Sequence, residues 1–365
     1  MTYLRRRPSF EWQGTPLRVI RIGDKEVGND RPVMIVAEAG VNHNGKVDLA
    51  KKLVDAAKDA GADAVKFQTF AAEKVISRSA PKASYQLDLN NRTETQLEMV
   101  KKLQLPQEAF SEIATYAEQE NIIFFSTPFD EDSADLLERL SVPVFKISSG
   151  DLNHLPFLTY VASKGRPMIV STGMSTLEDV RSAVETIKLC GNENIILTHC
   201  VSSYPAPIKD ANLRAINTLQ SVFDVPIGYS DHTLGFEVAM CAVALGACLI
   251  EKHLTLDKSL PGPDHKASLD PPEFARMAKA IRLVEQALGS YTKAPTESEL
   301  DVMRVARRSI VASRDIAEGE IITREKIDFK RPATGLPPFS LSAVLGRRAK
   351  RDIGADNAIK ADDLA

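Results

Sequence analysis

The chain has 365 residues, of which 44% are hydrophobic and 26% are charged, a composition typical of a folded globular protein. Its net charge of −3 (46 basic minus 49 acidic residues) argues against nucleic acid or an anionic membrane as the main partner. No apolar run approaches the roughly 20 residues of a membrane span, and the basic N-terminus lacks the apolar core of a secretion signal. We therefore expect a cytoplasmic protein.

Residues 1–31 combine short β-type runs with turn signals such as Gly23-Asp24, which predicts an N-terminal hairpin. Apolar strand-like runs then alternate with helix-type segments, the last of which is Pro272–Leu288. The predicted strands are Val33–Ala37, Ala64–Phe67, Ile122–Phe125, Val142–Phe145, Met168–Val170, Ile195–Leu197, Val225–Ile227 and Cys248–Ile250. Eight strand–helix units over about 250 residues predict a (β/α)8 TIM barrel spanning 32–288. No G-x-G-x-x-G follows the first strand, which argues against an open dinucleotide-binding sheet.

Polar side chains follow the apolar part of every predicted strand. In chain order they are Glu38, Lys66 with Gln68, Ser126 with Thr127, Lys146 with Ser148 and Ser149, Ser171 with Thr172, His199, Ser230 with Asp231 and His232, and Glu251 with His253. The carboxyl ends of barrel strands meet at one face, where ligands bind. We therefore expect these groups to form a catalytic site at that face.

Two histidines, His232 and His253, stand at the ends of neighbouring strands, and each is close in sequence to a carboxylate, Asp231 or Glu251. On adjacent strands both rings could reach one ion at a metal–nitrogen distance of about 2 Å, with the carboxylates orienting them. Two imidazoles with oxygen partners favour Mn²⁺ or Mg²⁺ as a Lewis acid over structural zinc.

Two lysines, Lys66 and Lys146, lie inside apolar strand segments, DAVKFQT and PVFKISSG. A buried ammonium is costly without an anion beside it, so each lysine requires a partner. Hydroxyl clusters accompany the lysines, which favours a clamp for the phosphate and carboxylate of a small substrate. A Schiff-base lysine, as in barrel aldolases, stays open as the alternative.

The tail differs in composition from the barrel. Residues 289–308 are polar and predict a linker, and residues 309–365 combine short β-type runs with Gly and Pro turns. The latter predict a separate small domain.

The strings AEAGVNHNG, ADAVKFQTF, STPFD, KISSGD, STGM, HCVSSYP, IGYSDHT, IEKH and PGPDH together resemble the N-acetylneuraminate (sialic acid) synthase family. The resemblance extends into the tail, where RSIVASRDIAEGEIITREKIDFKRPATG is similar to the family's antifreeze-like (SAF) domain. It implies a metal-dependent condensation of phosphoenolpyruvate with open-chain N-acetylmannosamine, by C–O bond cleavage, to N-acetylneuraminate and phosphate. N,N′-diacetyllegionaminate synthase, which uses 2,4-diacetamido-2,4,6-trideoxymannose, is the alternative.

The resemblance also implies roles for particular residues. Phosphoenolpyruvate would be held by Lys66, Thr127, Lys146, Ser149, Ser171 and Ser230, and the Mn²⁺ or Mg²⁺ ion by His232 and His253. The sugar would be met by Glu38, Gln68, Tyr204 and Asp264, with Glu38 also a candidate for proton transfer. Arg331 would reach the site from the SAF domain of a second subunit, in a domain-swapped homodimer. Asp151 is a further candidate catalytic residue, and it stands where many bacterial members carry glutamate, so its carboxylate reaches one methylene less far.

Two further functions are kept as alternatives. A Schiff-base aldolase would use Lys66 or Lys146 as its nucleophile. A non-enzymatic sugar- or partner-binding protein would rely on the tail, but such a protein has no use for a Lewis-acid metal beside a phosphate clamp.

Overall fold

The structure, a computed structural model, describes residues 18–83 and 94–365, and the chain divides into two compact units between Gly289 and Ser290. Within the segment 1–31, β1 (Val19–Ile22) and β2 (Lys25–Gly28) form an antiparallel pair, and the part of the predicted hairpin before residue 18 lies outside the described residues. No helix of the described ranges is long and apolar enough to cross a membrane.

The first unit is a closed barrel of eight parallel strands, which confirms the predicted fold. Its strands are β3 (Met34–Gly40), β4 (Ala64–Thr69), β5 (Ile123–Pro128), β6 (Phe145–Ile147), β7 (Met168–Ser171), β8 (Ile195–Cys200), β9 (Ile227–Asp231) and β10 (Leu249–His253). The strands follow one another around the barrel in chain order, and β10 closes it by pairing with β3.

Helices connect the strands and cover the barrel. They are α1 (Val47–Asp59), α2 (Ala72–Val75), α3 (Gln96–Leu103), α4 (Gln107–Gln119), α5 (Glu131–Arg139), α6 (Leu155–Ala162), α7 (Leu177–Leu189), α8 (Arg214–Val222), α9 (Glu237–Ala244) and α10 (Pro271–Leu288). Helix α1 buries Ala50, Leu53, Val54 and Ala57, a three- and four-residue spacing that places its apolar side chains on one face. The Thr176 side chain caps α7 through a capping box with Asp179.

Alternation along the strands decides which side chains enter the barrel. Successive residues of a strand point to opposite faces, so Lys66 and Gln68 share one face of β4, and Glu251 and His253 share one face of β10. Near its end β3 contains a bulge, where Glu38 pairs with Lys66 but Gly40, two residues on, pairs with Phe67. These features bring the polar side chains to the carboxyl ends of the strands, a region called the barrel mouth below.

The second unit is small and rich in β-structure. Its elements are α11 (Leu300–Ala306), β11 (Ser309–Ala312), β12 (Ile327–Lys330) and α12 (Leu341–Val344). Strands β11 and β12 are antiparallel and pack a separate apolar core that includes Ile310, Ile322 and Ile359. This unit therefore has a hydrophobic centre of its own.

Candidate active site

A buried network of charges joins four strands at the barrel mouth. Lys66 Nζ lies 2.9 Å from Glu38 Oε2 and 3.5 Å from Glu251 Oε1, and it donates to Thr127 Oγ1 at 3.3 Å. Lys146 Nζ lies 3.1 Å from each carboxylate oxygen of Glu251. All five side chains are buried, so the two ammonium groups are paired with carboxylates away from water.

The pKa values of these groups follow from burial and mutual attraction. Burial disfavours the charged form of Lys66, but Glu251 and Glu38 outweigh it and raise the pKa of Lys66. Burial lowers the pKa of Lys146, with Glu251 opposing the shift. Burial also disfavours the charged form of Glu251, but Lys146 and Lys66 hold its pKa below the ordinary value. Burial raises the pKa of Glu38, and the attraction of Lys66 offsets only part of this shift.

Glu251 is the centre of this network, whereas the sequence predicted it only as a carboxylate at the barrel mouth that orients a histidine. Besides contacting both lysines, its Oε1 accepts a hydrogen bond from Ser230 Oγ at 3.1 Å. The available signal was its parity with His253 on β10, which already placed it on the inner face of the barrel. Glu251 thus connects three of the residues expected to bind phosphoenolpyruvate.

Hydroxyl groups line the neighbouring wall. Ser149 Oγ accepts a hydrogen bond from the Gly173 backbone at 3.0 Å and lies 3.1 Å from Cys200 Sγ. A Cβ atom at Gly173 would stand 2.8 Å from Ser149 Oγ and 3.0 Å from Cys200 Sγ, so a larger residue there would displace these side chains. Ser171 Oγ lies 3.0 Å from Thr198 Oγ1 on the adjacent strand β8.

The two predicted histidines lie side by side at the barrel mouth, at the ends of the adjacent strands β9 and β10. Their ring centroids are 5.5 Å apart, and the Tyr204 ring lies 4.2 Å from His232 and 5.7 Å from His253. His232 Nδ1 lies 2.7 Å from the Val201 carbonyl, which can only accept, so Nδ1 carries the proton and Nε2 the lone pair. Burial lowers the pKa of His232 to about 4 and that of His253 well below its usual value, so both rings are neutral near pH 7.

His253 has a nitrogen without a hydrogen bond. Its Nδ1 is buried and has no hydrogen-bond partner within the part of the chain that the structure describes, and Asp264 Oδ2 lies 3.8 Å away. Across residues 18–83 and 94–365 there is no cluster of three or more His, Cys, Asp or Glu side chains that could hold a metal ion. Any cation shared by the two imidazoles would therefore take its remaining ligands from water or substrate.

The carboxylates expected to orient the imidazoles have other partners. Asp231 accepts a hydrogen bond from Lys252 Nζ at 2.8 Å, and Glu251 is held by the two lysines and Ser230. The Val201 carbonyl orients the His232 ring instead. This contact could not be predicted from the sequence, because every residue has a backbone carbonyl and the residue type does not indicate which one is used.

Of the residues expected to bind the sugar, Gln68 lies beside the lysine network and Asp264 lies beside His253. Gln68 Nε2 donates to Glu38 Oε1 at 2.9 Å. Asp264 is buried, and burial together with the nearby charge of Glu38 raises its pKa to about 7. Asp151 accepts a hydrogen bond from Ser148 Oγ at 2.5 Å, so its carboxylate is bound to its own loop.

Contacts join ten of the predicted residues, directly or through Glu251. They are Glu38, Lys66, Gln68, Thr127, Lys146, Tyr204, Ser230, His232, His253 and Asp264. Ser149, Ser171 and Asp151 follow β6 or end β7, with the separate contacts given above. Arg331 follows β12 in the second unit and is exposed there.

The sequence of this chain matches those of known protein families. Residues 53–293 match the NeuB family, and residues 307–365 match the SAF domain family. The chain belongs to the NeuB family. This result confirms the SAF domain predicted for the second unit, and the relatives described next confirm the resemblance to sialic acid synthases.

Several NeuB-family relatives align over nearly their whole length. An N,N′-diacetyllegionaminic acid synthase of Legionella pneumophila is 46% identical over 92% of this chain and 96% of its own. The human N-acetylneuraminate-9-phosphate synthase is 37% identical over 94% of this chain and 96% of its own. A crystal structure of a Leptospira borgpetersenii sialic acid synthetase in complex with citrate is 36% identical, with a TM-score of 0.72 over 79% of this chain and 95% of that one. This NeuB-family chain is therefore an enzyme of the sialic acid synthase type.

Proposed function

We propose that this enzyme condenses phosphoenolpyruvate with an open-chain N-acetylated aminosugar, giving a 2-keto sugar acid and inorganic phosphate. One observation carries the proposal: two buried lysines, Lys66 and Lys146, and two neutral histidines lie together in one barrel mouth. Cationic side chains with adjacent hydroxyl donors suit a small substrate that carries both a phosphate and a carboxylate.

The proposed phosphoenolpyruvate site consists of Lys66, Thr127, Lys146, Ser149, Ser171 and Ser230. Glu251 supports this assignment because it already balances the positive charge of both lysines by contacts of 3.1 to 3.5 Å. A substrate anion would meet the same two ammonium groups, so their hydrogen-bond donors are in position before it binds. Lys66 is doubly ion-paired and its pKa is raised, which disfavours the neutral amine that a Schiff base requires.

We further propose that His232 and His253 bind Mn²⁺ or Mg²⁺. The neutral state of both rings, the lone pair on His232 Nε2 and the unpaired His253 Nδ1 fit two imidazole ligands, with oxygen atoms completing the shell. Bound there, the ion would supply Lewis-acid polarisation of a carbonyl oxygen. Gln68, Tyr204 and Asp264 would orient the sugar, and Glu38 would hold or move a proton beside it.

In the proposed reaction, the C2–C3 double-bond electrons of phosphoenolpyruvate form a bond from C3 to the aldehyde carbon, and the aldehyde oxygen takes up a proton as its double bond to carbon opens. Water adds at C2 and loses a proton. The bond between C2 and the bridging oxygen then breaks, and phosphate leaves with that oxygen. Lys66, Lys146 and their hydroxyl neighbours would stabilise the leaving phosphate through charge-assisted hydrogen bonds. Burial of the network keeps bulk water from competing for these donors.

Two sugars are candidates, N-acetylmannosamine and 2,4-diacetamido-2,4,6-trideoxymannose. The Legionella relative, 46% identical, is named for N,N′-diacetyllegionaminic acid, and the human relative, 37% identical, is named for N-acetylneuraminate-9-phosphate, so relatives support both sugars. We propose the same chemistry for either sugar, since the lysine and histidine groups act on the parts of the reactants that the two reactions share.

The proposal is tested by phosphate release from phosphoenolpyruvate with Mn²⁺ and each sugar in turn. Phosphoenolpyruvate labelled with ¹⁸O at the bridging position should give labelled phosphate, because the C–O bond breaks. The His232→Ala variant should release none. Absence of release with both sugars, or turnover of pyruvate in place of phosphoenolpyruvate, would overturn the proposal.

We also propose a homodimer in which Arg331 of each SAF domain completes the sugar site of the other subunit. The exposure of the Arg331 side chain in its own unit supports an intermolecular partner. A guanidinium suits a substrate that presents hydroxyl and amide oxygens.

A further inference from the structure

Besides the lysine network, the ends of β9 and β10 carry another buried ion pair, next to the two histidines in the chain. Asp231 on β9 and Lys252 on β10 are cross-strand neighbours, and Lys252 Nζ lies 2.8 Å from Asp231 Oδ2. Both side chains are completely buried, with 0% exposure. Lys252 was not among the residues predicted for the site.

Strand alternation places this pair outside the barrel interior. Ser230 and Glu251 meet inside the barrel, where Ser230 Oγ donates to Glu251 at 3.1 Å. Asp231 and Lys252, the next residue of each strand, therefore point to the opposite face of the sheet. Neither side chain can touch substrate there.

The pair binds the backbone around His232. Lys252 Nζ donates to the Thr233 carbonyl at 2.5 Å, and Asp231 Oδ1 accepts from the Thr233 backbone N–H at 2.9 Å and from its hydroxyl at 2.8 Å. The residues before and after His232 are thus both tied to Lys252. Lys252 in turn directly precedes His253 in the chain.

Stability alone does not explain such a pair. Two charges removed from water gain little over well-packed apolar side chains of similar size, because desolvation offsets their attraction. Their hydrogen bonds, however, are directional, and apolar side chains could not reproduce them. What the pair adds is therefore a fixed geometry at the ends of β9 and β10.

We propose that Asp231 and Lys252 are positioning residues that hold His232 and His253 at the spacing needed to share one divalent cation. The inference rests on the metal site of the proposed function and deepens it. Loss of the pair should weaken metal binding while leaving the fold intact. Groups that orient metal ligands typically change metal affinity by about 10- to 100-fold when they are replaced.

The test uses the full-length Asp231→Asn, Lys252→Met double variant, which removes both charges and leaves no buried charge unpaired. Binding of Mn²⁺ alone is measured by the loss of the free-ion paramagnetic resonance signal, and thermal unfolding is followed in parallel. We expect Mn²⁺ affinity to fall about 10- to 100-fold with a melting temperature near that of the wild type. Activity should recover at high Mn²⁺ concentration.

A matched control replaces an ion pair at the opposite end of the barrel. Asp63 and Arg282 lie 2.8 Å apart beside the amino ends of the strands, so the Asp63→Asn, Arg282→Met variant should melt lower but bind Mn²⁺ like the wild type. Should the Asp231/Lys252 double variant not fold, Thr233→Val removes one hydrogen bond to Asp231 without changing a charge. It should weaken Mn²⁺ binding several-fold, in the same direction.

The outcomes separate the two claims. A wild-type protein that takes up no Mn²⁺ would contradict the proposed metal site and this inference with it. Wild-type binding of Mn²⁺, combined with affinities within about twofold in both the folded double variant and Thr233→Val, would overturn the positioning role alone.

Discussion

At the scale of single residues, the charge of Glu251 distinguishes this site from a simple cationic pocket. It contacts Lys66 and Lys146 at 3.1 to 3.5 Å and accepts a hydrogen bond from Ser230. Two buried ammonium groups without such a counter-ion would strongly destabilise the fold, since breaking a buried pair costs about 3–5 kcal/mol. Glu251 therefore provides both lysines with a negative partner before an anion arrives.

Replacement of Glu251 by glutamine tests this role. The Glu251→Gln variant should melt below the wild type, because it leaves the two ammonium groups with less opposing charge. Phosphoenolpyruvate should raise its melting temperature by more than it raises that of the wild type, because the ligand replaces the missing negative charge. Thermal unfolding with increasing phosphoenolpyruvate measures both effects.

Glu285 provides the matched control, since it pairs with Arg282 near the amino ends of the strands. Glu285→Gln should respond to phosphoenolpyruvate as the wild type does. An equal or smaller ligand-induced shift in Glu251→Gln than in the wild type would show that Glu251 is not the internal counter-ion of the lysines.

At the scale of the element, the bulge in β3 aims Glu38 into the site. Gly40 has a φ of +50°, and a Cβ atom there would stand 3.0 Å from Glu38 Oε1 and 3.3 Å from Gln68 Nε2. A glycine tolerates this left-handed backbone and leaves room for the hydrogen bond between Glu38 and Gln68. The bulge thus links the backbone of one strand to the carboxylate proposed to serve the sugar.

The Gly40→Ala variant should lose activity far more than stability. An alanine in the left-handed backbone conformation lowers stability by about 1 kcal/mol. Displacement of Glu38 by about 1 Å, in contrast, can lower kcat roughly 100-fold. The KM for phosphoenolpyruvate should change less than kcat, because Glu251 still holds both lysines when Glu38 is displaced. Steady-state kinetics and thermal unfolding together measure these effects.

Gly61 serves as its control, because it has a similar backbone (φ +81°) after α1 and a Cβ there would meet only Ala278 Cβ, at 3.7 Å. Gly61→Ala should show a comparable loss of stability with unchanged kinetics. Equal kinetic parameters in the two variants would show that the β3 bulge does not position a residue needed for catalysis.

The strands also show how far the sequence could predict the fold. Apolar runs located all eight barrel strands, but every strand continues beyond its run into polar residues, which include the inward-facing groups of the site. These inward-facing polar groups end the hydrophobic pattern before the strand itself ends. β6 begins at Phe145 rather than Val142, because Pro143 lacks the N–H that a strand within the barrel must donate.

For the site, the sequence was most informative where residue type carries the chemistry. Lysines and histidines at strand ends were recognisable one by one, whereas the pairing of Asp231 with Lys252 depends on barrel register. The two are 21 residues apart and become neighbours only because β9 and β10 lie side by side. The bulge at Gly40 was likewise hidden, since a glycine before a turn has a simpler explanation.

At the scale of the whole molecule, the proposed dimer would bring Arg331 of one subunit to the barrel of the other. The barrel carries His232 and the SAF domain carries Arg331, and each unit has its own hydrophobic core. In a symmetric dimer that exchanges SAF domains, each site would combine the barrel of one subunit with Arg331 of the other. Subunit mixing distinguishes this arrangement from one in which Arg331 serves its own barrel.

Consider a mixture of His232→Ala and Arg331→Ala subunits, exchanged by joint refolding, where each variant alone has little activity. If Arg331 acts between subunits, one of the two sites in every mixed dimer contains an intact barrel and an intact SAF domain. Half of the dimers are mixed at random assortment, so activity should rise to about a quarter of the wild-type value.

The opposite geometry gives the opposite result. If Arg331 served its own barrel, both chains of a mixed dimer would carry one defect in their own site, and mixing would restore nothing. A mixture of His232→Ala and His253→Ala subunits controls for wild-type contamination, because each barrel then lacks a histidine under either arrangement. Activity that rises in the first mixture and not in the second requires Arg331 to cross the subunit boundary, whereas two equally inactive mixtures would contradict the exchanged dimer.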